Sequence, residues 1–334
     1  MNNNLIDVKE NYIYHLDNEL LEILLKDRSS GKNIIWATDN YASRGCGYQS
    51  FDQITVESIT GHHGNVVKPR TEKSKKEQSE RIRQKAEVFT PSWICNKQNN
   101  LVDNAWFGSE NAFNNENEKT WISTKEKIVF PTVSGKSWED YINDTRLEIT
   151  CGEAPYLVSR YDTVTGEYIE IDSRIGLLDR KLRVLSENTE SEEEWIRWAT
   201  IAYQNIYGFD WQGDNVLLAR ENLLFTFIDY YKAKFNNEDP SIELLREIAE
   251  ILSWNIWQMD GLKFVIPNSC KDVEIGQTSL FDLSIKTEPC PGCENNDPFA
   301  HTGVKCKIID WKADPEGNNP IEFVLLTKEN GYGK

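Results

Sequence analysis

The sequence has no apolar run that approaches the roughly 18 residues of a membrane-spanning helix. It has no excess of positive charge either: 37 Lys and Arg against 54 Asp and Glu leave a formal net charge of −17. This balance argues against unaided wrapping of nucleic acid, because phosphate binding needs a basic surface, whereas a local groove or a basic partner subunit stays open. The start, Met1-Asn2-Asn3-Asn4, has no basic segment followed by an apolar core, so no secretory leader is expected and the chain is expected to be cytoplasmic. Histidine is scarce. His15, His62, His63 and His301 all lack a Glu two positions on. This removes the zinc nucleobase deaminases, which need His-x-Glu for a ligand and a general acid/base, although Pro289–Cys293 spells their Pro-Cys-x-x-Cys element. Gly135-Lys136-Ser137 mimics the end of a phosphate-binding loop, but Phe130 stands where its first glycine is required. There is no internal repeat and no low-complexity tail.

What is present fits a globular chain. At about 150 residues per domain, 334 residues make two domains or one large domain with additions. With 39% hydrophobic and 27% charged residues, the chain can bury a core without staples. The seven cysteines, an odd number, suit reduced thiols.

Residues 16–27 have the apolar spacing of an amphipathic helix, and Asn33–Thr38 reads as a short buried strand. Between Lys68 and Lys85 stand eight basic and three acidic residues, read as a solvated helix. Residues 108–127 read as a surface loop. Helical patterns recur at 138–145, 174–186, 191–207, 214–235 and 241–257, with strand-like pieces at Arg146–Thr150, Ile206–Asp210 and Leu262–Ile266. This alternation predicts an α/β sheet of parallel strands. The Asp179-Arg180-Lys181 run with Arg183 reads as a solvated helix face, and the spaced pairs Trp195/Trp198 and Trp254/Trp257 as packing stripes.

Three short passages stand out. Leu147–Leu157 leads an apolar strand into a Gly-containing turn and then a helix, where Gly152 and Ala154 would let a ligand approach the backbone. Asp210 closes the next strand, the usual place for an acid that binds a ribose diol, and a helix N-cap is the plainer reading. Asp260-Gly261 follows a helix as a turn whose Asp could accept from an adenine amino group.

In order and spacing these passages resemble the S-adenosylmethionine-dependent DNA adenine-N6 methyltransferases of restriction–modification enzymes. The chain is similar to proteins often called restriction endonuclease subunit M. Leu147, Glu148, Cys151, Gly152, Tyr156 and Leu157 match the family's glycine motif. Ile149 replaces its proline, Ala154 its second glycine and Pro155 its alanine. Upstream, Glu87-Val88-Phe89-Thr90-Pro91 matches the aromatic-Thr-Pro element that closes over the methionine part of the cofactor, and Trp93–Leu101 would carry amide side chains inward. The resemblance implies a Rossmann-like class I methyltransferase sheet over residues 85–266, with an N-terminal extension (1–84) and a Cys-rich appendage with a C-terminal strand (267–334). It implies a pocket for S-adenosylmethionine made of Glu87, Phe89, Thr90, Pro91, Glu148, Cys151, Gly152, Ala154, Asp210, Trp211 and Asp260, with Trp211 against the adenine.

The family's Asn/Asp-Pro-Pro-Tyr/Phe tetrapeptide, which holds the adenine amino group and stacks on the flipped base, has no match here; Asp297-Pro298-Phe299 and Asn319-Pro320 come nearest. The expectation is a split enzyme. This chain would supply the cofactor half, and a catalytic subunit would supply the tetrapeptide and target-recognition domain, meeting double-stranded DNA as a complex. The alternative is a non-catalytic interaction protein that binds a partner or senses the cofactor.

Cys290-Pro291-Gly292-Cys293 is a CxxC knuckle, and with Cys270 and Cys306 it predicts tetrahedral structural zinc, His301 being a candidate replacement for Cys270.

Overall fold

The computed structural model describes residues 10–85, 87–131, 135–279 and 282–329. The Met1–Asn4 start lies outside the described residues. The fold is mixed α/β around a three-stranded parallel sheet: β1 (Arg146–Ile149), β2 (Ile206–Asp210) and β3 (Ile256–Gln258), in that spatial order. Arg146 pairs with Ile206 and Glu148 with Gly208, while Gly208 pairs with Ile256 and Asp210 with Gln258. Among the described residues no helix is long and apolar enough to cross a membrane.

The helices that frame the sheet and the cleft are α1 (Asn18–Leu25), α2 (Lys75–Lys85), α3 (Ser92–Phe107), α4 (Trp138–Asn143), α5 (Leu177–Asn188), α6 (Glu192–Gln204), α7 (Gly213–Lys234) and α8 (Ile242–Asn255). α5 and α6 cross from β1 to β2, and α7 and α8 from β2 to β3, as parallel strands require. α7 is buried on all sides along most of its length. Its Arg220 guanidinium donates to the carbonyls of Leu24 (2.6 Å), Lys26 (2.8 Å), Ser253 (3.0 Å) and Ile256 (2.8 Å). One buried cation thus satisfies the carbonyl ends of α1 and α8 and ties the N-terminal segment to the sheet.

Gly213, at the start of α7, lies under the Ile35 carbonyl, where an added Cβ would come within 2.0 Å of the oxygen. Gly213→Ala must push the N-terminal segment away, and it is expected to cost about 1–3 kcal/mol in a denaturant titration.

Several expectations change. The basic stretch is helical over Lys75–Lys85, but Lys73 and Arg81 are buried rather than solvated. Asp179, Arg180 and Lys181 are buried too. Arg180 donates to Asp103 (2.6 Å), Asn96 (2.9 Å) and Asn100 (2.7 Å) of α3. Lys181 donates to the carbonyls of Ile142 (2.7 Å) and Asp144, capping α4. The surface loop expected at 108–127 contains the hairpin Asn114–Asn117/Thr120–Ser123. The third strand is Ile256–Gln258, not Leu262–Ile266, and Trp257 therefore sits on a strand away from Trp254's helix. Turns, not a helix, follow Gly152. Ile321–Glu322 pairs with Lys307–Ile308 and stays outside the parallel sheet.

β1 is an edge of that sheet, and its Leu147 and Ile149 side chains are 46% and 65% exposed. Both side chains line the cleft described below, so the exposed face of β1 is its cleft face.

Candidate functional site

A cleft of about 1030 Å³ opens at the carboxyl ends of β1 and β2, at the large end for small-molecule sites. Ligands of open α/β sheets occupy this position because the loops there are free to vary. Glu87, Phe89, Thr90, Glu148, Cys151, Gly152, Asp210 and Trp211 all line it. Phe89 and Gly152, distant in sequence, meet here: a Cβ on Gly152 would lie 3.3 Å from the Phe89 ring. Gly152 has φ +54°, so backbone conformation and the closeness of the Phe89 ring both favour glycine.

Asp210 is the latch between two strand ends. One of its carboxylate oxygens accepts from the Gly152 N–H (3.0 Å), the other from the Gln212 N–H (2.9 Å) and the Asn215 amide (3.4 Å). Burial outweighs these donors and pushes its pKa up to about 6. Glu148 accepts from the Leu157 N–H (3.2 Å) and the Tyr156 N–H (3.4 Å), holding the turn that follows Gly152, and burial pushes its carboxyl well above the usual range. Glu87 accepts from Arg81 (2.7 Å) and Gln212 (2.6 Å). Behind it, Asp214 accepts from Arg81 and from the Tyr41 hydroxyl, both at 2.7 Å. Burial opposes ionisation of Asp214, but Arg81, Lys73 and Tyr41 prevail and hold its pKa at about 2.

Three of the expected pocket residues sit elsewhere. Pro91 caps the start of α3, and Ala154 is a buried turn residue at φ +62°. Asp260 accepts from the N–H groups of Leu262 (3.0 Å) and Lys263 (3.2 Å); it serves its own turn and borders a smaller cavity beyond Trp211. The sequence reading missed Ala37, Thr38, Asp39 and Ser50 from the N-terminal segment and Asn268 from the appendage. Gln98 and Asn99, from the helix expected to carry amides inward, do line the cleft.

Four carboxyl residues, Asp39, Glu87, Glu148 and Asp210, line the cleft, with Glu87 paired to Arg81 and Glu148 held toward its neutral form by burial, and among the described residues no Lys or Arg lines it. Such a surface favours a ligand rich in hydroxyl and amine donors or carrying positive charge. It disfavours phosphates.

The second constellation is Cys270, Cys290, Cys293 and His301, whose ligand atoms lie within 4.8 Å of one another. His301 Nδ1 is 3.6 Å from each of the three sulfurs. Zn–S bonds of about 2.3 Å and Zn–N bonds of about 2.0–2.1 Å at tetrahedral angles give an S···N edge of about 3.6 Å. The set therefore fits an ion such as zinc. His301 takes the place expected for Cys306, whose buried Sγ donates to the Gln258 carbonyl (3.4 Å). Gly292 lets the knuckle close, since a Cβ there would lie 2.6 Å from His301 Nδ1.

Comparison with protein-family models, curated proteins and solved structures found no match.

Proposed function

We propose that the cleft binds S-adenosylmethionine and that this chain is the cofactor-binding part of a split DNA adenine-N6 methyltransferase of a restriction–modification or phage-defence system. The observation that carries the reading is the acidic, base-free lining at the carboxyl ends of parallel strands. It suits a cofactor with a sulfonium, an ammonium and a ribose diol, and no phosphate. The meeting of Phe89 with the Gly152 turn and the position of Asp210 support it further. On this reading β1–β3 are part of a Rossmann-like class I methyltransferase sheet.

When bound, the cofactor supplies an electrophilic methyl group. Asp210 accepts from its hydroxyls, Glu87 faces its positive charge, and Phe89 and Trp211 exclude water from it. These residues orient the methyl; the adenine and the groups that hold its amino nitrogen come from the partner. β1 is an edge strand of the sheet, and there that catalytic subunit would continue it. The partner would also carry the basic surface for double-stranded DNA that a chain of net charge −17 lacks. The Cys3His cluster holds structural zinc.

A second reading, a non-catalytic protein that senses the cofactor or binds a partner, is favoured by the lack of an Asn/Asp-Pro-Pro-Tyr/Phe tetrapeptide.

Titration calorimetry of the purified chain tests the cofactor reading. Micromolar binding of S-adenosylmethionine is expected, with no heat from ATP or NAD. Tighter binding of either phosphate-bearing ligand overturns it. Affinity is expected to fall as pH drops through about 6, because Asp210 then takes up a proton and loses acceptor strength.

A further inference from the structure

The cleft and the Cys3His cluster share a wall. Trp211 and Asn268 line both the large cleft and the smaller cavity that Cys270 borders. Both also donate to one acceptor, the Ala37 carbonyl: Trp211 Nε1 at 3.2 Å and Asn268 Nδ2 at 3.3 Å. Ala37 is held at φ +60°, a left-handed conformation that a residue with a Cβ seldom adopts without outside support. Its conformation sets where Thr38 and Asp39 enter the cleft wall.

Asn268 is in turn held from the metal side. It lies two residues before Cys270 and is itself left-handed, at φ +59°. The turn around it closes through the Ser269 hydroxyl, which donates to the Ile266 carbonyl (2.6 Å) and accepts from the Val304 N–H (3.1 Å). Lys271 N–H donates to the Thr302 hydroxyl (3.0 Å), next to His301. An ion that binds Cys270 and His301 together clamps these two segments and fixes the Asn268 amide against Ala37.

We propose that Asn268 is a positioning residue through which metal at the Cys3His cluster sets the Ala37–Asp39 wall, so that metal occupancy and ligand affinity in the cleft are coupled. The coupling rests on the reading of the cleft as the S-adenosylmethionine site; the movement of the wall does not.

The test uses the full chain, zinc-loaded and zinc-stripped, in wild-type and Asn268→Ala forms. The first readout is amide hydrogen exchange at residues 37–39, with the amides of β1–β3 as the control for global unfolding. Stripping zinc is expected to speed exchange at 37–39 in the wild type while the sheet stays protected. In Asn268→Ala that exchange should already be fast and insensitive to zinc. The second readout is affinity: zinc should tighten S-adenosylmethionine binding by about tenfold, and the cofactor should tighten zinc binding by the same factor, as linkage demands. That factor should shrink toward one in Asn268→Ala, a loss of coupling that a merely structural role would not produce. Unchanged exchange at 37–39 on stripping overturns the inference, whatever the cofactor does. Altered exchange without any cofactor binding overturns the cofactor reading alone.

Discussion

Cys290→Ser will abolish tight zinc binding and loosen residues 266–306 while the parallel sheet survives. Burial raises the Cys290 thiol, but the Thr302 N–H (3.3 Å), the knuckle backbone and His301 outweigh it and bring its pKa down to about 5. The site therefore offers one ready thiolate at neutral pH. Burial, with Cys293 and Cys290 beside it, pushes Cys270 up to about 11, so metal binding must displace at least that proton. Serine cannot form an alkoxide under these conditions. Structural zinc contributes about 10–16 kcal/mol of apparent binding free energy in small domains, so losing one of four ligands removes a large share of what holds this appendage. Elemental analysis should fall from one zinc per chain to almost none, and exchange should quicken across 266–306. Cys306→Ser should retain its zinc, because Cys306 serves Gln258 instead. One zinc retained in Cys290→Ser would refute the assignment. Because zinc competes with protons for its thiolates, its affinity should fall steadily on acidification, and release is expected well below the free-thiol values.

Asp210→Ala will reduce S-adenosylmethionine affinity by about a hundredfold or more. The carboxylate gathers donors from the Gly152 turn, Gln212 and Asn215, and its removal leaves buried N–H groups unpaired at about 1–3 kcal/mol each. The turn that must meet the ligand then loses its anchor. Asp210→Asn separates charge from shape, since one oxygen remains to accept. A carboxyl whose folded pKa is raised from 3.8 to about 6 opposes folding when ionised. That cost is present above pH 6 and is relieved between about pH 6 and 3.8. Asp210→Asn relieves that cost at pH 7 but sets its NH2 against either the Gly152 N–H or the Gln212 N–H, so it should melt close to the wild type yet bind the cofactor weakly. Wild type at pH 5 should approach it. Calorimetry and thermal melts on the same samples check both, and an Asn variant with full affinity would exclude an ionised Asp210 from the site.

The sequence made the sheet and much of the cleft legible for a local reason. Arg146–Ile149 and Ile206–Asp210 are short strands punctuated by Gly152 and Asp210, and those two residues meet where the strands end. The third strand is hidden because no Gly or Pro separates α8 from Ile256–Trp257, and the apolar spacing of the helix carries on across Asn255. The helix stops there because the Asn255 side chain bonds the Tyr203 carbonyl (3.0 Å) and Trp311 Nε1 (2.7 Å), partners distant in sequence. Arg180 and Lys181 look solvated in sequence because nothing nearby reveals the Asp103, Asn96 and Ile142 groups that receive them. Cys306 lies at a plausible ligand spacing, but only the three-dimensional turn at Gly292 brings His301 to the knuckle in its place. The N-terminal wall of the cleft depends on a left-handed Ala37, a conformation alanine does not advertise.

The bare edge of β1 also bears on how the chain behaves in concentrated solution. Among the described residues β1 has a neighbouring strand on one side only, and the outward peptide groups of such an edge form a template on which a second copy stacks. The net charge of −17 opposes such encounters at long range. That protection reaches only as far as the ionic atmosphere allows, about 8 Å at physiological salt and about 3 Å at 1 M. The acidic surface therefore acts as a colloidal stabiliser for an open sheet, and dissolved salt sets the concentration at which copies begin to adhere.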